Sequence, residues 1–239
     1  MGIRTDSHTR RAAPGRARGG PLALLLTGIA AALLAPASAG ALSFQVDFTS
    51  TTYQAQAGDT WADLLAEHQS GALIAGHTLD GLAGISPQTL AGGTNGDYSL
   101  LMTTVVEVQV AGQYQFQVGT DWGRGGAAVV IDNDSGLVID EVVRTDDLWW
   151  NNDWNNPDVF TTSLALDAGT SYTLGWVGFE GCCGGSATIR FAFEGGGFQD
   201  FTSPNADAYM IANPEPGTAV LVMLGLGGLS AFGRKRLRA

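Results

Sequence analysis

Residues 42–48 read LSFQVDF, residues 104–110 TVVEVQV and residues 114–118 YQFQV, alternating apolar with polar side chains. A period of two gathers the apolar side chains on one face of a strand and scatters them around a helix, so these segments require half-buried sheets. Five further runs, 127–131, 137–143, 160–166, 171–179 and 187–193, are rich in aliphatic, β-branched and aromatic residues. Turn-forming residues punctuate them: Asp132-Asn133-Asp134-Ser135-Gly136, Asp167-Ala168-Gly169-Thr170 and the glycine-rich loop 181–185. The runs 104–110 and 114–118, joined through Ala111-Gly112, read as a hairpin, because Gly112 can take a positive φ. A second hairpin is read over 127–143, with Asp, Asn and Gly at its tip. Short strands at this spacing predict a mainly β fold, an antiparallel β-sandwich of two sheets, of jelly-roll or related type.

One helix interrupts the pattern. Thr60 can cap it, Asp63 completes a capping box three residues on, and Trp61, Leu64 and Leu65 supply an apolar face that ends near Ser70-Gly71. Residues 75–96, rich in Gly, Ser, Thr and Pro, read as a crossing loop. The expected organisation is therefore an N-terminal extension over 40–96, with a strand and a short helix, followed by the sandwich over 97–212.

Both ends carry a different composition. Arg10, Arg11, Arg16 and Arg18 precede an apolar core over 22–34, and Ala37-Ser38-Ala39 offers a small-x-small cleavage site, so residues 1–39 read as a signal peptide. At the other end Pro214-Glu215-Pro216 abuts residues 217–233, which hold no charge, and Arg234, Lys235, Arg236 and Arg238 follow. A helix of this length, at about 1.5 Å per residue, is near the lower limit for crossing a hydrocarbon core of roughly 30 Å. The basic cluster would hold the C-terminus in the cytoplasm. An ordinary tail anchor is the plain alternative.

That order of triplet, apolar span and basic tail over 213–239 resembles the PEP-CTERM family of exported bacterial proteins. Gly181-Cys182-Cys183-Gly184-Gly185 is similar to the double-cysteine-glycine motif of one subgroup. The resemblance implies a sorting motif of Pro214, Glu215 and Pro216 with Arg234, Lys235 and Arg236. It also implies signal peptidase and an exosortase as partners, passage through the inner membrane, and a final place in the cell envelope or extracellular matrix.

Most of the basic residues lie in the two ends. Between Gly40 and Gly233 three arginines stand against 22 carboxylates, a formal charge of −19. Such a surface repels phosphate backbones, which excludes nucleic acid as a partner, and gathers divalent cations.

Over residues 105–195 the order of features resembles PA14-like β-sandwich modules of secreted glycosidases, adhesins and toxins. It is carried by YQFQVGTDWGRGGAAVVIDN, an aromatic loop, SLALDAGTSYTLGWVGFEG and a closing ATIRFAF. The carbohydrate-binding branch implies two consecutive aspartates that bind Ca2+, which in turn binds sugar hydroxyls. Here Thr120-Asp121-Trp122-Gly123 holds the first aspartate and lacks the second.

Three clusters remain as candidate sites. The loop 148–158, LWWNNDWNNPD, presents Trp149, Trp150 and Trp154 beside Asn152 and Asp153, flat apolar faces next to hydrogen-bonding groups, as a sugar ring requires. The same rings could instead plug one end of the sandwich. Asp132 and Asp134 place oxygens at alternate positions before a glycine, as calcium loops do, although hairpin tips favour these residues for conformational reasons alone. Cys182 and Cys183 are adjacent and assigned to an oxidising compartment, so a disulfide between them competes with free thiols, intermolecular bonds and half of a metal site.

No G-x-S-x-G or H-E-x-x-H signature accompanies His68 or His77. The expected role is therefore binding rather than catalysis, with extracellular polysaccharide as the ligand. The alternatives are a structural matrix component without a ligand and, less favoured, a glycoside hydrolase with two facing carboxylates.

Overall fold

The computed structural model describes residues 40–213. Seven strands form one antiparallel sheet: β1 (Phe44–Ser50), β2 (Ala72–Leu79), β3 (Tyr98–Val108), β5 (Gly126–Asp132), β6 (Leu137–Arg144), β9 (Ser171–Glu180) and β12 (Met210–Ala212). Five form a second: β4 (Gly112–Trp122), β7 (Leu148–Trp149), β8 (Phe160–Leu166), β10 (Ala187–Phe193) and β11 (Gln199–Asp200). The first runs β2-β1-β3-β9-β5-β6, with β12 also on β3; the second runs β11-β10-β4-β7, with β8 also on β4.

Alternation on each strand sends one set of side chains between the sheets. Phe44, Val46 and Phe48 of β1 and Leu100, Met102, Val106 and Val108 of β3 meet Tyr114, Phe116 and Val118 of β4 and Ile189 and Phe191 of β10. Phe201 sits at the centre, its ring centroid 4.9 Å from Phe44, 5.5 Å from Phe116 and 5.4 Å from Phe191. Tilted and edge-on contacts of this kind match the ring quadrupoles.

Helix α1 (Trp61–Ser70) covers the other face of the seven-stranded sheet, where Trp61 and Leu64 pack on Ala127, Val129, Val177 and Phe179. Its capping box is formed as the sequence predicts: the Thr60 hydroxyl accepts from Asp63 N–H, and Asp63 Oδ2 accepts from Thr60 N–H. Gly175 on β9 makes room for the helix, since a Cβ there would lie 2.7 Å from Trp61 Cη2. At its C-terminal end buried His68 shares the Ser99 hydroxyl with Thr49, through contacts of 2.8 Å each, tying α1 to β1 and β3.

The structure corrects two readings. Residues 104–110 and 114–118 are not a hairpin: β3 pairs with β1, β9 and β12, while β4 pairs with β7, β8 and β10. The chain crosses between sheets at Ala111, and Tyr114 Oη donates to Val110 O at 2.6 Å across the corner. A short glycine-bearing connection serves either geometry, and the choice was made by distant strands. Nor do residues 75–96 form only a loop, because β2 pairs with β1 along its whole length. β1 and β2, both within residues 40–96, lie in the sandwich's larger sheet. β2 is an exposed edge with little apolar contrast between its faces, which hid its periodicity.

The signal peptide assigned to 1–39 and all but the first residue of the sorting segment assigned to 213–239 lie outside the described residues. Within them, no helix is long and apolar enough to cross a membrane. Gly40 and Ala212 are bridged, with Ala212 N–H donating to Gly40 O at 3.3 Å, so the two ends of the sandwich meet.

Candidate functional site

The aromatic loop is anchored by β7, whose Trp149 pairs with Asp121 and whose Leu148 pairs with Trp122. Its polar side chains mostly shape its own backbone. Asp158 Oδ2 accepts from Trp149 N–H at 3.1 Å, Asn156 Nδ2 donates to Trp149 O at 2.9 Å, and Asp153 Oδ1 accepts from Asn155 N–H at 3.0 Å. Asn151 and Asn152 take φ of 47° and 58°, the left-handed region that asparagine tolerates better than most L-residues. Asn152 and Asp153 are exposed at the loop tip.

The three tryptophans divide. Trp149 is 56% exposed, whereas Trp150 is 4% exposed and packs over Gly119 of β4. Half-buried Trp154 lies 4.8 Å from Trp150 between ring centroids. The Arg190 guanidinium sits 3.8 Å from the Trp154 centroid and 4.8 Å from that of Phe198. Burial lowers the Arg190 pKa from its ordinary value, but arginine stays charged. Arg190 Nε donates to Gln117 Oε1 at 2.8 Å. Trp150, Trp154, Arg190 and Phe198 thus form a ladder on the outer face of the five-stranded sheet.

That ladder adjoins a polar row that sequence reasoning missed. Gln113, Gln115 and Gln117 alternate with buried Tyr114 and Phe116 on β4, and Ser163 on β8 stands opposite Gln115. Gln113 Nε2 donates to Ser163 Oγ at 3.0 Å. The signal was present in the sequence as three glutamines on the polar side of an alternating strand. Arg190 carried no local signal, because its ring partners come from residues 154 and 198.

The positions implied for calcium do not make a cradle. Trp122, which stands where a second aspartate would be needed, is 1% exposed and points into the core. Asp121 has its pKa raised by burial and by Glu180 and Asp147. Asp132 Oδ1 accepts from Asp134 N–H at 2.9 Å and Ser135 N–H at 3.2 Å; these bonds, first that of Ser135, lower its pKa. It therefore closes the hairpin turn, and among the described residues no group of three or more His, Cys, Asp or Glu is placed to hold a metal.

Cys182 and Cys183 are joined by a disulfide, with Cα atoms 3.8 Å apart. Their loop is fixed by Glu180, itself 3% exposed, which accepts from Gly123 N–H at 3.0 Å, Gly181 N–H at 2.7 Å and Cys182 N–H at 2.8 Å. This one carboxylate fastens the β4–β5 turn to the β9–β10 loop. His68 is buried away from the surface ladder, and burial lowers its pKa from 6.5 to about 4, so it is neutral at pH 7.

No protein-family model matches the chain, and no curated protein does. Among solved structures the chain is similar to the PA14 sugar-binding domain from an RTX adhesin, with 14% identity, 73% of this chain and 100% of that one covered, and a TM-score of 0.44. It is also similar to the Epithelial Adhesin 9 A domain from Candida glabrata in complex with Galb1-3GlcNAc (9% identity, 77% and 94% covered, TM-score 0.48). A third is the PA14 domain of the MpAFP antifreeze protein (16% identity, 76% and 95% covered, TM-score 0.44). Identities this low leave the chemistry of the site to this chain's own residues.

Proposed function

We propose that the protein is an exported carbohydrate-binding β-sandwich that engages extracellular polysaccharide through the 148–158 loop and the adjoining outer face of the five-stranded sheet. The observation that carries this reading is the exposed Trp149 ring in the same loop that supplies Trp150 and Trp154 to the ladder with Arg190, which in turn bonds Gln117 of the glutamine row. An aromatic face next to amide donors and acceptors suits the apolar C–H faces and hydroxyls of a sugar. Export and sorting rest on Arg10 to Ala39 and on Pro214, Glu215, Pro216, Arg234, Lys235 and Arg236, with signal peptidase and an exosortase as processing partners. A glycan array probed with the mature protein, with and without Ca2+, tests the binding reading: calcium-independent binding to a defined glycan set is expected, and no binding to any glycan overturns it.

A second reading, a structural matrix component, is favoured by the exposed apolar side chains on both edge strands of the larger sheet. Leu73 and Ile74 lie on β2, and Leu137, Val138 and Ile139 on β6. Unpaired edges of this composition can join neighbouring copies. Concentration-dependent sedimentation that Leu73→Lys and Val138→Lys abolish would support this reading.

A further inference from the structure

Among the described residues the basic side chains are Arg124, Arg144 and Arg190. Arg124 is paired with Asp97 at 2.8 Å, and Arg144 with Asp146 at 2.8 Å and Asp158 at 3.9 Å. Arg190 differs. Asp200, its register partner on β11, lies beyond ion-pair distance, and the two terminal nitrogens of Arg190 make no hydrogen bond or ion pair among the described residues. On a surface this acidic, a cation with no carboxylate within 4 Å among the described residues is the exception, and the Asp200 charge acts on it only from farther off.

Its position is nevertheless fixed. Trp154 and Phe198 hold the guanidinium at 3.8 and 4.8 Å, and Gln117 takes its Nε–H at 2.8 Å. A flexible side chain has thereby lost much of its freedom before any ligand arrives, which lowers the cost of binding. The unused nitrogens form the fork that matches a carboxylate through two parallel hydrogen bonds. On the same face, two residues along β4 from Gln117, Gln115 stands opposite Ser163 of β8, and the two provide partners for hydroxyls across the sheet.

We propose that Arg190, held over the Trp154 and Phe198 rings, anchors the carboxylate of an acidic sugar, so that the outer face of the five-stranded sheet binds a uronic-acid polysaccharide. This specificity rests on the carbohydrate reading above. The net negative charge of the domain opposes a polyanion at long range, but salt screens that repulsion beyond about 8 Å at physiological ionic strength. The short, partly desolvated Arg190 contact is screened far less. Affinity for an acidic polysaccharide therefore rises from low to physiological salt, the opposite of binding to a basic patch.

The test is calorimetric titration of the mature protein with polygalacturonate, polyglucuronate and alginate, with carboxyl-reduced polygalacturonate, with neutral dextran and with poly-glutamate. Wild-type protein is expected to bind at least one acidic polysaccharide, more tightly at 150 mM than at 10 mM salt. Arg190→Gln should lose at least tenfold for that polymer and Arg190→Lys less, with melting temperatures near wild type; should Arg190→Gln not fold, loss of wild-type binding on carboxyl reduction supports the proposal independently. If wild type binds the acidic, carboxyl-reduced and neutral polymers equally, the acidic-sugar proposal fails while the carbohydrate reading stands. Binding to none of the polymers overturns the proposal, and the glycan array decides the broader reading separately. Equal binding of poly-glutamate shows a general carboxylate site and overturns selectivity for sugars.

Discussion

Trp150 packs so closely over Gly119 that a methyl group there would meet the indole Cε2 at 2.6 Å. The contact joins the aromatic loop to β4 and makes Trp150 a buried prop for the ladder, while Trp149 is left to solvent.

Trp150→Ala should therefore lower stability by about 3–5 kcal/mol, the usual loss for a truncated buried aromatic, and Gly119→Ala should destabilise by overpacking. Trp149→Ala should melt within a degree or two of wild type and weaken polysaccharide binding. Thermal melting beside a polysaccharide pull-down checks both; a stable Trp150→Ala variant would refute the prop assignment.

His68 sets a pH dependence. Its pKa falls from 6.5 in the unfolded chain to about 4 in the fold because burial penalises the charged ring. Above pH 6.5 both states hold the ring neutral, and this contribution to stability is fully present. As pH falls from 6.5 toward 4 the unfolded chain takes up a proton that the native state refuses, so stability drops by up to roughly 1.4 kcal/mol per pH unit. Urea unfolding between pH 7 and 4 should show the slope, and His68→Gln should flatten it.

Glu180 accepts three backbone N–H groups from two loops. Glu180→Ala leaves those donors without a partner at a buried position and should cost on the order of 3 kcal/mol. The double change Cys182→Ser/Cys183→Ser should cost much less, since a ring closed between neighbours removes little unfolded-state entropy. Chemical denaturation of the two variants compares them directly, and a larger loss from the serine pair would reverse the order.

Processing is expected to leave a mature chain that starts near Gly40 and lacks the peptide after Pro216. Replacing Pro214-Glu215-Pro216 by three alanines should retain the basic tail and hold the protein in the inner membrane. Intact-mass spectrometry of protein recovered from the envelope reads the result, and a full-length C-terminus in the wild type would contradict it.

Local sequence determined eight of the twelve strands, the capping box of α1 and the hairpin around residues 132–136, because each depends on residues a few positions apart, whereas β2, β7, β11 and β12 carried no periodic signal. The Asp132 bonds that close that hairpin follow the ordinary turn chemistry of its sequence. What lay beyond local reading was partnership. Ala111-Gly112 suits a hairpin or a corner equally, and only the competition among β7, β8, β9 and β10 for the edges of β3 and β4 separated them. The division of the tryptophans was equally nonlocal: Trp150 is buried because Gly119 leaves room for it, and Trp154 becomes half of a clamp because β10 brings Arg190 beneath it. The sequence by itself determined the periodic strands and which residue types the site contains; the packing of distant segments decided the edge strand β2, which rings face solvent and which arginine lacks an ion pair among the described residues, since burial and pairing are properties of neighbours in space.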